Sequence, residues 1–127
     1  MIDHVSLNVS NLEKSRDFYR EALKPLGYTV VLDIADIESW GLGIKGCSIG
    51  ENNETRLWLS GDDAVAKCHI AFRAKSEDEV KHFHEAGIKA GGKDNGTPGP
   101  RPDYGEHYYG AFVIDPDGNN IEVVFRG

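Results

Sequence analysis

The sequence predicts an α+β fold made of two βαβββ modules related by an approximate twofold, in a single domain over residues 1–127 with repeats at about 1–62 and 66–127. Two stretches predict it. HVSLNVSNLEKSRDFY, beginning at His4, is echoed by HIAFRAKSEDEVKHFH, beginning at His69. Each opens with a histidine at the head of an alternating run, reaches a serine followed three residues on by a glutamate, and continues in a helical pattern. The offset is 65 from His4 to His69 and 66 from Ser10 to Ser76. A strand, cap, helix and further strands recurring at one offset mark an internal repeat. Each half alone would leave one sheet face bare, so the halves must pack together or exchange with a partner chain.

The elements follow in order. Ile2, Val5, Leu7 and Val9 alternate with His4, Ser6 and Asn8, the period of a half-buried strand. Ser10 and Glu13 are spaced as a capping box, and Leu12, Ser15, Phe18, Tyr19, Ala22, Leu23 and Leu26 form the buried stripe of a helix that Pro25 and Gly27 end. Residues 28–32, 39–44 and 55–59 read as three strands, separated by the polar breaks DIADIE and GENNE, with Cys47 in a loop. In the second half, residues 68–74 alternate, with Cys68 turned toward the core and His69 away from it. Ser76 and Glu79 make a second capping box, and Val80, Phe83, His84, Ala86, Gly87 and Ile88 continue as an amphipathic helix to Gly91-Gly92. KDNGTPGPRPDYGE carries too many breakers for long regular structure, and residues 108–114 and 120–125 read as strands joined by the turn DPDGN. The connection SGDDAVAK can form a compact turn or an extended crossover.

Composition narrows the function. A formal net charge of −7 excludes a sequence-independent nucleic-acid binder, which needs a basic face to release counterions. No apolar run is long enough to span a membrane, and the opening MIDHVSLNV leaves no room for a signal peptide. Two cysteines do not make a disulfide framework, so a reducing cytoplasm is expected.

Under an approximate twofold, His4 and His69 occupy equivalent places on two first strands. The last strands align Leu57-Trp58-Leu59 with Ile121-Glu122-Val123, an offset of 64. Glu122 sits in the apolar run NIEVVF, where a carboxylate is costly to bury without a cation or donor. His4, His69 and Glu122 thus supply two imidazole nitrogens and one carboxylate oxygen, a set that holds a divalent metal and leaves positions open. One metal per chain is expected, and Zn, Ni, Mn and Fe(II) all accept these donors. Trp58, at the symmetric place, cannot coordinate and walls the cleft instead.

The sequence resembles the vicinal oxygen chelate superfamily, which includes glyoxalase I, type I extradiol dioxygenases, fosfomycin-resistance proteins and metal-free bleomycin-resistance proteins. The resemblance covers the whole chain and is most specific at IDHVSLNVSNLEKSRDFYREALKPLGY and AFVIDPDGNNIEVV. It implies two βαβββ modules forming a partly open barrel around a metal cleft, with ligand positions matching His4, His69 and Glu122. Two departures stand out. Glyoxalase I uses a fourth ligand, Glu or Gln, where this chain has Trp58. The dioxygenases share a tyrosine ten residues before the carboxylate ligand, where this chain has Phe112. The phrases best resemble a glyoxalase-like branch.

The resemblance turns the Phe112 face of its strand toward the cleft, and alternation puts Tyr108 on that face as a pocket hydroxyl. His107 is a candidate base, and Arg101 lies on the segment placed to close over the site and hold a substrate carboxylate. Trp40 and Trp58 add aromatic walls. The leading expectation is a metal-dependent lyase or isomerase acting on a small vicinally oxygenated substrate. The metal polarises a carbonyl and stabilises an enediolate-type oxyanion, and Glu122, Tyr108 or His107 moves the proton. The alternatives are an extradiol-type dioxygenase and a non-catalytic drug- or metabolite-binding protein. A homodimer is expected, because a twofold assembly leaves sheet edges that invite pairing.

Overall fold

The computed structural model describes residues 2–61 and 67–127. Most of the connection SGDDAVAK, residues 62–66, therefore lies outside the described residues. The chain runs β1 (Val5–Asn8), α1 (Leu12–Ala22), a 3-10 turn (Lys24–Leu26), β2 (Thr29–Leu32), α2 (Ile34–Glu38), β3 (Gly46–Glu51) and β4 (Glu54–Ser60). It continues through β5 (His69–Arg73), α3 (Glu77–Lys89), β6 (Lys93–Pro100), β7 (Tyr109–Ile114) and β8 (Asn120–Phe125). Two four-stranded mixed sheets result, in the orders β1-β4-β3-β2 and β5-β8-β7-β6. In each, the first strand pairs in parallel with the last and the other neighbours are antiparallel. The two modules therefore share one topology.

The apolar stripe of α1 (Leu12, Phe18, Tyr19, Ala22) and that of α3 (Val80, Phe83) bury completely or nearly so. The helices cover one face of each sheet and pack on each other, and a single core runs through both modules. Tyr28 of the first module meets Phe72 of the second edge-on at 5.7 Å. The Trp58 face of the first sheet and the His69 face of the second lie outside this core. The two sheets do not close into one barrel.

Several local expectations are corrected. Asn11, not Ser10, caps α1, its side chain accepting from the Lys14 amide at 3.0 Å. The Ser10 amide is instead held by the Asp117 carboxylate of the other module at 3.1 and 3.2 Å, which keeps Ser10 outside the helix. The second cap is only half a box. Ser76 accepts from the Glu79 amide, while Glu79 reaches back to the Lys75 amide rather than to Ser76.

DIADIE is a helix rather than a break, because Asp33 and Asp36 form a reciprocal capping box at its start. The strand expected over 39–44 is accordingly displaced. Gly41 and Gly43 take positive φ (67° and 72°), and the strand begins only at Gly46. Cys47 thereby lies in the core with no exposure, whereas Cys68 is exposed; both are free thiols. Finally, KDNGTPGP forms β6 despite its breakers. It is an edge strand, where a proline removes no ladder bond.

Candidate metal centre on the second module

Residue pairing places the candidate side chains. The parallel β5–β8 pair sets His69 opposite Asn120 and Ala71 opposite Glu122, and the antiparallel β7–β8 pair sets Phe112 opposite Glu122. His69, Glu122 and Phe112 therefore share the open face of the second sheet. The register in the first module is the same: Ser6 lies opposite Trp58, and Ser48 opposite Trp58. Trp58 thus occupies the place that Glu122 holds in the second module, and His4 lies one residue ahead of β1, where extending the register by one residue matches the place of His69.

His69 and Glu122 come together, with Nε2 of His69 3.0 Å from Oε1 of Glu122. Nδ1 of His69 lies 2.8 Å from the backbone carbonyl of Asn120. A carbonyl oxygen only accepts, so Nδ1 carries a proton. In a neutral ring Nε2 then presents its lone pair to a carboxylate, which also only accepts when ionised. Two acceptors at this distance need a cation between them, either a proton or a metal ion. At 3.0 Å a proton on Nε2 makes this a hydrogen bond; two donors each about 2.1 Å from one ion would stand about 3.0 Å apart at a right angle and about 3.4 Å at the tetrahedral angle. Donation of the second ring nitrogen to a backbone carbonyl is also the usual orientation of a ligating histidine. His69 and Glu122 are the right types to supply two of a divalent ion's donors, and among the described residues no third His, Cys, Asp or Glu joins them.

Glu122 is 3% exposed although it lies on an open face. Its second oxygen, Oε2, accepts from the Tyr108 hydroxyl. Burial, and then the adjacent Glu122 carboxylate, push the Tyr108 phenol up to about 12. Phe112 stacks beside the His69 ring at 6.1 Å. Arg101 lies over Phe112, its guanidinium carbon 5.6 Å from the ring centre, but donates to the carbonyls of Thr97 (2.7 Å) and Gly99 (2.9 Å). It braces its own loop with those two nitrogens. A shallow hollow between Asn95, Gly96, Arg101, Tyr104, Phe112 and Asn120 adjoins the pair.

The remaining candidates lie elsewhere. His4 is half exposed and its Nδ1 sits 2.8 Å from the Asp3 carboxylate, which this contact holds below the usual carboxylate range. Trp58 is half-buried on the open face of the first sheet, and Trp40 is exposed just after α2. His107 is exposed beside Gly127 and hydrogen-bonds to neither His69 nor Glu122. Among the described residues no three His, Cys, Asp or Glu side chains converge on one point. The Asn120 carbonyl and Arg126, whose guanidinium lies 4.8 Å over the Tyr108 ring, were missed by sequence reasoning. A backbone acceptor leaves no residue-type signal, and an arginine following an apolar strand carries no motif of its own.

A sequence model of the Glyoxalase/Bleomycin resistance protein/Dioxygenase superfamily matches residues 1–123. The chain belongs to this superfamily. No curated protein matches the chain. Solved structures of the superfamily carry the likeness to the whole fold. A glyoxalase/bleomycin resistance protein from Albidiferax ferrireducens T118 superposes with a TM-score of 0.74 at 26% identity, over 98% of this chain and 97% of that one. A glyoxalase I mutant from Zea mays gives 0.68 at 26% identity over 97% of this chain, which spans 46% of the maize protein. A lactoylglutathione lyase from Agrobacterium tumefaciens gives 0.69 over 98% of this chain and 92% of that one, and at 19% identity speaks to the fold alone. No helix among the described residues is long and apolar enough to cross a membrane.

Proposed function

We propose that this superfamily member is a glyoxalase-like, metal-dependent lyase or isomerase acting on a small substrate with two vicinal oxygens. One divalent transition metal per chain is held by Nε2 of His69 and a carboxylate oxygen of Glu122, with His4 supplied by a second copy in a homodimer. The observation that carries this reading is the 3.0 Å approach of His69 Nε2 to Glu122 Oε1, with the other ring nitrogen committed to Asn120. His4 suits the third place because it lies one residue ahead of β1, where the β1–β4 register extended by one residue matches the place of His69 on β5. A twofold pair of chains would set the first face of one copy against the second face of the other.

When bound, the metal supplies a Lewis acid that polarises a carbonyl and gathers the neighbouring oxygen. The chain's own groups then bind and move a proton. Tyr108 stays protonated through neutral pH and hydrogen-bonds to Glu122 Oε2, so the carboxylate is the group that would take the substrate's proton and Tyr108 the hydroxyl that orients it. Phe112 and Trp58 give apolar walls that exclude water. Trp58 stands where a fourth, basic ligand would stand, so conversion of the methylglyoxal–glutathione adduct is expected to be negligible. Phe112 offers no hydroxyl, which disfavours dioxygen chemistry.

Elemental analysis of protein purified without chelator tests the reading. One first-row divalent ion per chain is expected, falling below about a tenth in His69→Ala and Glu122→Ala, since each removes one of only three protein ligands. A protein that neither carries nor acquires metal is instead a non-catalytic binder of small molecules in its aromatic clefts.

A further inference from the structure

The structure treats the two oxygens of Glu122 differently. Oε1 faces His69, while Oε2 accepts from the Tyr108 hydroxyl. Two side chains flank the Tyr108 ring. The Arg126 guanidinium carbon lies 4.8 Å from its ring centre, and Tyr104 meets the ring edge-on at 5.4 Å and 78°. The backbone has made room for the contact: a Cβ at Gly110 would lie 3.3 Å from both Glu122 Oε2 and Tyr108 Cε1.

We propose that Tyr108, clamped by Arg126 and Tyr104, restricts Glu122 to one-oxygen ligation and so sets the coordination number and metal preference of the centre. The inference rests on the metal-centre reading above. A carboxylate with both oxygens free can close on a large, hard cation through both, adding an oxygen donor and filling a position. With one oxygen tied to an O–H donor it contributes one bond, and the centre stays low-coordinate. Borderline ions that favour few ligands and imidazole nitrogen are then preferred, and positions remain for a substrate with two oxygens. Tyr108 acts on the metal through Glu122 and is in this respect a positioning residue. Arg126 in turn positions Tyr108.

Cobalt(II) is the probe, because its visible bands weaken as coordination number rises. The full chain loaded with cobalt(II) is expected to absorb strongly. Tyr108→Phe keeps the ring and removes only the hydroxyl. It is expected to weaken the bands several-fold and to raise manganese(II) affinity relative to cobalt(II) by about tenfold, as a two-oxygen carboxylate favours the harder ion. Arg126→Gln loosens the ring without touching the hydroxyl and is expected to shift both readouts part of the way. Cobalt bound by wild type and Tyr108→Phe with the same spectrum and the same manganese-to-cobalt ratio overturns this inference alone. Cobalt bound by neither overturns the metal-centre reading and this inference with it.

Discussion

The two modules share strand order, helix placement and register, yet they treat their open sheet faces in opposite ways. In the second, the segment between β6 and β7 turns back over the sheet, bringing Tyr108 onto Glu122 and Arg101 over Phe112. In the first, the corresponding segment between α2 and β3 leaves Trp40, Leu42 and Ile44 at 49%, 69% and 51% exposure. Where the second module places a buried carboxylate, the first places Trp58. The last hairpins differ too. The turn between β3 and β4 is two asparagines with positive φ, Asn52 and Asn53, the conformation of a tight two-residue hairpin. The turn between β7 and β8 is organised around Asp115, 4% exposed, which accepts from the amides of Asp117 and Asn119, from the Asn119 side chain and from the Tyr19 hydroxyl of α1. Duplication supplies the scaffold. Specialisation of one copy supplies both the site and the clamp that binds the copies together.

The largest expected effect breaks that clamp. Asp115→Ala leaves the Tyr19 hydroxyl, the Asn119 side chain and two backbone amides without their acceptor in a buried turn. A loss of about 3 kcal/mol is expected, seen in urea melts as a lower midpoint with unchanged slope. A loss under about 0.5 kcal/mol would mean the modules are held together without it.

Next is Trp58→Glu, which gives the first module the side-chain type the second already has. An added charged ligand beside His4 is expected to tighten metal binding by about tenfold. Unchanged or weaker binding in calorimetric titration, with folding intact, would show that the first module's face does not reach the metal.

The thiols compare the modules on a smaller scale. Burial pushes the Cys47 thiol up to about 12, and it lies in the core, while Cys68 is exposed just ahead of β5. Burial and the Asp115 carboxylate also push the Cys68 thiol up, so at pH 8 the native protein is expected to label slowly at Cys68, and at Cys47 only on unfolding. Equal labelling of both under native conditions would place Cys47 outside the core.

The smallest effect belongs to the first hairpin. Asn53→Gly relieves the positive φ of 60°. It is expected to change stability by less than about 1 kcal/mol, in the stabilising direction, by the same urea melts. A strong destabilisation would show that the Asn53 side chain holds a contact of its own.

Much of this was legible from the residues. The α1 stripe, every strand after the first module except β6, and the equivalence of His4 with His69 and of Trp58 with Glu122 follow from periodicity and from offsets near 65. The failures have local and distant causes. Ser10 loses its role as a cap to Asp117, 107 residues away. Edge strand β6 is tolerated because only one side of it needs hydrogen-bond partners. Cys47 enters the core only because DIADIE folds into α2 and pushes the next strand toward the C-terminus. His69 and Glu122 were readable as a pair, but the Asn120 carbonyl that fixes the ring is backbone and leaves no residue-type signal.

The central claim is that His69 and Glu122 meet on a metal whose third protein ligand is His4 from another copy. The most direct measurement is a crystal structure of the metal-loaded protein with anomalous differences collected at the absorption edge of the bound ion. The account predicts one peak per chain at about 2.0–2.2 Å from Nε2 of His69 and an oxygen of Glu122, with the nearest His4 belonging to a twofold-related chain. A peak at any other place, or none between His69 and Glu122 in protein that holds a full equivalent of metal, would contradict it.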